Sequence, residues 1–225
     1  MDEIIVIDKP KGMTSHDVVD VVRRSFGIRK VGHAGTLDPM ATGVLVVLTG
    51  KMTKESGRFL NDDKEYDAEL VLGATSDTED AEGSIKPSGA SSYPDRDAIQ
   101  RAFAGFKGEI EQIPPAYSAL KHKGRKLYEL ARKGIRVEKD PRKIFISRLE
   151  ITGISLPAVS FRVECSKGTY VRKLASDIGE RLGCGAYLSA LRRTRSGRFT
   201  IDQAIDINDL GKIPNNKHQI TNNIQ

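Results

Sequence analysis

Gly32-His33-Ala34-Gly35-Thr36-Leu37-Asp38-Pro39-Met40-Ala41-Thr42-Gly43 runs directly into Val44-Leu45-Val46-Val47-Leu48. The second stretch is an unbroken apolar run and reads as a strand buried on both faces. The first reads as a loop of small residues that brings a carboxylate, an imidazole and a proline to the end of that strand. Its glycines let another molecule approach the backbone closely. Pro39 fixes the chain after Asp38 and biases Asp38 away from helical geometry. A carboxylate held on a rigid turn at a sheet edge suits a nucleophile or a general base. An Asp-Pro turn closed by an Asx hydrogen bond would use the same residues.

Outward from this loop the chain alternates between strand and helix signals. Ile4-Ile5-Val6-Ile7 reads as a strand ended by the turn Asp8-Lys9-Pro10-Lys11-Gly12. Thr14 and Asp17 have capping-box spacing ahead of a helix that buries Val18, Val19 and Val22 and stops at Gly27. Tyr66, Ala68, Leu70 and Leu72 alternate as in a half-buried strand, and residues 73–94 read as a polar loop. Asp95 or Asp97 caps a helix through Phe103. Ile113-Pro114-Pro115 breaks the chain. Leu127, Leu130 and Ala131 form a short helical pattern stopped by Gly134. Residues 143–151 and 158–165 read as strands joined by a Gly153–Pro157 turn. A helix is predicted from about Tyr170 to Leu182, with Thr169 as its cap, and a further short helix holds Leu188 and Leu191. Residues 215–225 read as a polar tail. Without a strict βαβ repeat, the mixture points to an α+β fold.

The chain has 225 residues and a formal net charge of +6, enough for a sizeable core. The charge is unevenly placed. Residues 61–97 hold 11 acids and 3 bases, residues 121–148 hold 11 bases and 3 acids, and residues 166–198 hold 8 bases and 2 acids. Two concentrated basic segments fit a polyanion partner or a solvated lysine-rich surface. Tyr117, His122 and Tyr128 lie in or beside the first of them, an interleaving that suits looped RNA. The acidic start Met1-Asp2-Glu3 is unlike a signal peptide. No apolar run is long enough to span a membrane. The two cysteines, Cys165 and Cys184, fit a reducing compartment, and the cytoplasm is the expected location.

Lys167-Gly168-Thr169-Tyr170-Val171-Arg172 opens the predicted long helix. Arginine is unfavourable in a first turn against the helix dipole. It would be tolerated beside a carboxylate such as Asp38. Tyr66 reads as core, as a cross-strand partner or as a stacking surface for a base. Other chemistries find no support. Asp77, Glu79, Asp80 and Glu82 lack the glycine and terminal glutamate of a calcium loop. The four histidines show no metal-binding spacing, so no metal ligand is assigned, and there is no phosphate-binding glycine motif.

Seven segments taken together resemble one family. They are Asp8-Lys9-Pro10-Lys11-Gly12-Met13-Thr14-Ser15, Gly32 to Pro39 with Ala41-Thr42-Gly43, and Lys64-Glu65-Tyr66. Next come Ile113 to Lys121 and Lys126 to Gly134, then Ser166 to Arg172, and last Leu191-Arg192-Arg193. In this order they resemble the bacterial tRNA pseudouridine-55 synthases, the TruB family. The resemblance implies a mixed, mainly antiparallel sheet flanked by helices, with a pseudouridine synthase catalytic domain over 1–210. It implies a T-loop-gripping insertion at 116–143, and a tail at 211–225 where longer relatives carry a second RNA-binding domain. It implies isomerisation of uridine 55 in tRNA without a cofactor, by a monomer that needs no protein partner. Asp38, Arg172 and Tyr66 would be the catalytic residues, with Arg172 pairing with Asp38 and Tyr66 stacking on the target base and taking a proton at the end. Tyr170 and Leu191 would complete the base pocket, and His33 would hold the T-loop. Lys9 is placed among the substrate-binding residues, as a support of the catalytic loop. Two other readings are an RNA chaperone, which would not need Asp38 with Arg172, and an RNA-guided synthase, against which the Pro114-to-Gly134 insertion speaks.

Overall fold

The computed structural model of the chain describes residues 1–118, 121–122, 124–127, 130, 133–135, 137 and 139–212. Tyr128, Ala131 and the polar tail lie outside the described residues. The elements in chain order are β1 (Ile4–Lys9), α1 (Ser15–Phe26), β2 (Val31–Ala34), β3 (Thr42–Thr49), α2 (Ser56–Leu60), β4 (Lys64–Leu72), β5 (Ala74–Ser76) and β6 (Ile85–Pro87). They continue with α3 (Arg96–Ala104), β7 (Gly108–Gln112), β8 (Lys121–His122), β9 (Arg125–Lys126), β10 (Arg142–Ser155), β11 (Ala158–Cys165), α4 (Val171–Arg181), β12 (Ala186–Ser196), β13 (Phe199–Thr200) and β14 (Ile205–Asp206). The fold is α+β, with strands paired mainly antiparallel and helices flanking them, as the sequence predicts. The chain divides into two compact units, residues 1–67 with 191 onward, and residues 68–190.

In the first unit the strand order is β14–β1–β3–β12, with β2 on β3 and β13 on β12. β1 runs antiparallel to β3 from Ile4↔Leu48 to Lys9↔Gly43, and β12 runs parallel to β3 at Arg192↔Thr42 and Arg193↔Gly43. The continuous apolar run of β3 is buried on both faces. Leu45 and Val47 pack with Ile5, Ile7 and the α1 valines, while Val44, Val46 and Leu48 pack with Val6, Phe59 and Phe199. Thr14 and Asp17 form the predicted capping box of α1, and Gly27 closes it with φ +63. The predicted Gly32–Gly43 loop is shorter than expected. Val31–Ala34 pairs with β3 as β2, and β3 begins at Thr42.

In the second unit the strand order is β4–β11–β10–β7. β4 buries Tyr66, Ala68, Leu70 and Leu72, the predicted alternation. Asp95, rather than Asp97, caps α3 by accepting from the Ala98 amide. Phe103 of α3 meets Phe161 of β11 edge-on at 5.4 Å. β10 runs through to Ser155, so the turn before β11 is confined to Leu156–Pro157. Within the predicted 73–94 loop, β5 and β6 form a short antiparallel hairpin. The predicted short helix around Leu188 and Leu191 is instead strand β12. Its burial alternates at Ala186 and Leu188, slips across Ser189–Ala190, and resumes at Leu191 and Arg193. The slip spaces two buried leucines as a helix would. Thr169 does not cap α4, because its hydroxyl donates to the Ser166 carbonyl and Tyr170 occupies the N-cap position.

Candidate active site

Asp38 is half-buried in the connection between β2 and β3, and the β1–α1 turn fixes the chain on both sides of it. Ser15, buried at the start of α1, donates its hydroxyl to the Leu37 carbonyl at 3.1 Å and accepts from the Leu37 amide at 2.8 Å. The Pro39 carbonyl accepts from the Gly12 amide at 2.8 Å and from Lys9 Nζ at 3.3 Å. The Asp38 carbonyl accepts from the Ala41 amide at 3.0 Å, which closes a turn. The residues before and after Asp38 are therefore anchored, and its carboxylate projects from a backbone with little freedom to move. That is the pre-organisation a catalytic carboxylate needs.

Lys9 is fully buried, and its ammonium donates to the Pro10, Met13 and Pro39 carbonyls at 2.8, 2.7 and 3.3 Å. A cation enclosed in this way ties the β1–α1 turn to the loop that carries Asp38. The buried Lys64 plays a similar part beside Tyr66, donating to the Leu60 and Asp62 carbonyls. Tyr66 is itself buried on β4. His33, on β2, is held below its usual pKa by burial, helped by the charges of Arg193 and His16. Among the described residues its Nδ1 has no hydrogen-bond partner.

Leu191, Arg192 and Arg193 follow one another on β12 beside the start of β3. Leu191 is buried, and its carbonyl accepts from the Thr42 hydroxyl. Arg192 grips Asp8 with both guanidinium nitrogens, at 3.1 and 2.7 Å. Arg193 is 1% exposed and donates to the Val44 carbonyl at 2.6 Å and the Gly35 carbonyl at 3.1 Å. Ser15 and Arg193 anchor the loop that carries Asp38, a contact the sequence reading does not assign to them. A buried arginine at an alternating strand position looks like an exposed one until the burial is known.

In the second unit, Tyr170 and Arg172 stand at the start of α4. Arg172 is buried, with its guanidinium 5.9 Å from the Tyr170 ring centroid. It donates to the Tyr117 carbonyl at 2.5 Å and the Thr78 carbonyl at 3.4 Å, and lies 3.7 Å from the buried Asp80 carboxylate. These acceptors offset the unfavourable placement against the helix dipole. Asp80 also accepts from the Thr78 hydroxyl and the Glu82 amide. The acidic loop that lacks a calcium pattern is thus a seat for Arg172. Gln112, another residue missed from sequence, is buried at the end of β7. Its side-chain amide accepts from the Tyr170 amide at 2.8 Å and donates to the Tyr170 carbonyl at 3.2 Å. Burial pushes the neighbouring Glu79 carboxyl up to about 7, against the pull of Lys173 and Arg172.

The start of the 116–143 segment is tied to these groups through Tyr117. A cavity of about 380 Å³ opens here, lined by Tyr117, Leu127, Ile135, Lys139 and Asp77 among others. Leu127 and Leu130 are buried, and Gly134 follows with φ +70.

Residues 23–171 match the model of the TruB family pseudouridylate synthase (N terminal domain), and residues 172–222 match that of the tRNA pseudouridylate synthase B C-terminal domain. The chain is 49% identical over 207 residues to a tRNA pseudouridine synthase B of Syntrophotalea carbinolica, covering 92% of this chain and 68% of that one. It is 47% identical over 224 residues to one of Protochlamydia amoebophila, covering 99% and 85%. Among solved structures, a chain in the crystal structure of a Cbf5-Nop10-Gar1 complex is similar, with TM-score 0.74 and 35% identity, covering 93% of this chain and 53% of that one. The structure of an H/ACA RNP bound to a substrate RNA containing 2'-deoxyuridine gives TM-score 0.70 and 33% identity, covering 93% and 52%. The chain spans about half the length of those two solved chains. By its family-model matches and its near-full-length likeness to curated members, this chain belongs to the TruB family of pseudouridylate synthases.

Proposed function

We propose that this protein converts uridine 55 in the T-loop of tRNA to pseudouridine. The observation that carries the reading is Asp38, held on a loop anchored at Leu37 and Pro39, in a chain whose family isomerises uridine. The flipped uridine loses its N1–C1′ bond, the base turns, a C5–C1′ bond forms, C5 gives up its proton and N1 takes one. Atoms are conserved within one nucleotide, so no co-reactant is consumed. The Asp38 carboxylate promotes the cleavage, acting on the sugar or the base. Flipping costs a few kcal/mol, and the base pocket must return it.

In this reading Tyr66 stacks on the target base, Tyr170 and Leu191 complete its pocket, and His33 holds the T-loop. Arg172 keeps the Asp38 carboxylate ionised, and double substitution of the two residues tests that pairing through non-additive effects on rate. The 116–143 segment grips the T-arm through its basic charge. The enzyme works as a monomer in the cytoplasm, with tRNA as its only partner.

The test is to map pseudouridine in tRNA from cells lacking this protein. Position 55 is expected to remain uridine, and to be modified again when the gene is returned. Full pseudouridine at position 55 in the deletion strain would overturn the proposal.

A further inference from the structure

We infer that Arg193 is the positioning residue of the Asp38 loop, an inference that rests on the role proposed for Asp38. The loop leaves β2 at Gly35 and enters β3 at Thr42, and one buried guanidinium holds the Gly35 carbonyl at the start of the loop and the Val44 carbonyl, two residues into β3. The main chain of Arg193 is fixed as well. It pairs with Gly43, whose φ is +98, and a Cβ built on Gly43 would lie 2.2 Å from the Arg193 carbonyl oxygen. Strand β12 and the arginine fork therefore close the loop from below, while Ser15, Gly12 and Lys9 close it from the β1–α1 side.

Two carbonyls in different directions require two donors in fixed relation. The planar guanidinium supplies them, and a lysine ammonium on a flexible stem does not. Arg193→Lys keeps the charge and approximate length of the side chain and removes the fork. The released loop lets the Asp38 carboxylate shift, and a misplacement of about 1 Å costs about 100-fold in rate.

The experiment compares Arg193→Lys with the unsubstituted protein on a uridine-55 tRNA transcript, with rates corrected for the folded fraction. The single-turnover rate is expected to fall between about 10-fold and 100-fold, with tRNA affinity within about twofold. A rate within threefold of the unsubstituted protein, or weakened binding at an unchanged rate, would overturn the inference. Amide exchange reads the same loop without activity. The Ala41 and Gly12 amides, bonded to the Asp38 and Pro39 carbonyls, are expected to exchange at least tenfold faster in Arg193→Lys, and unchanged exchange would overturn the inference. Should Arg193→Lys not fold, the neutral Arg193→Gln is measured in the same way against the same outcomes. An unsubstituted protein inert on tRNA would defeat the proposed function, while the exchange result would still decide the loop.

Discussion

Replacing Lys9 by Met keeps the buried stem and removes the ammonium. Three carbonyls lose a donor, but the Pro39 carbonyl keeps its bond from the Gly12 amide at 2.8 Å. The Pro10 and Met13 carbonyls carry the loss. An acceptor deprived of its partner costs about 1–3 kcal/mol, so the two together cost about 2–4 kcal/mol once partial hydration is allowed for. For a chain of this length, about 2–4 °C is lost per kcal/mol, which gives a fall in Tm of about 4–16 °C. Thermal unfolding and urea titration followed by circular dichroism measure it. The loosened Pro39 anchor should also slow catalysis while tRNA still binds. A Tm within about 2 °C of the unsubstituted protein would refute the claim that this buried cation holds the β1–α1 turn to the Asp38 loop.

Gly43→Ala places a Cβ against the Arg193 backbone at a φ of +98, and is expected to cost about 3–5 kcal/mol of stability, read by urea titration. Asp80→Ala leaves the buried Arg172 short of a carboxylate and is expected to cost about 3–5 kcal/mol, read the same way. The folded Glu79 has a pKa near 7, above the usual 4.5, so between these values the folded state holds a proton that the unfolded chain has released. Its contribution makes the protein more stable as pH falls from about 7 towards 4.5, and Glu79→Gln should remove that part of the pH dependence in unfolding titrations.

Much of the scaffold was legible because local and tertiary demands agree. The Thr14–Asp17 box, the β3 apolar run and the alternation from Tyr66 each signal one structure and adopt it. The failures have physical causes. Leu188 and Leu191 are spaced as on a helix because β12 slips its alternation between them. The β5–β6 hairpin was hidden because its short polar strands bury too little to show a pattern. For the site, the Asp38 loop stood out by its glycines and its proline. Arg193 did not, because it is a buried cation satisfied by backbone carbonyls, and carbonyls carry no sequence signature; Lys9 is expected there only through the family resemblance. Asp80 was passed over for a similar reason. Its acidic loop lacks a calcium pattern, and the cation it receives is the Arg172 side chain, which nothing local in the sequence announces.

The most direct test of the account is single-turnover conversion of uridine 55 in a tRNA transcript by purified protein, beside Asp38→Asn. The unsubstituted protein should form pseudouridine. Asp38→Asn should form none above background while binding the transcript with similar affinity, because it keeps the loop's size and shape and lacks only the carboxylate. Conversion by Asp38→Asn at a rate near that of the unsubstituted protein would contradict the account.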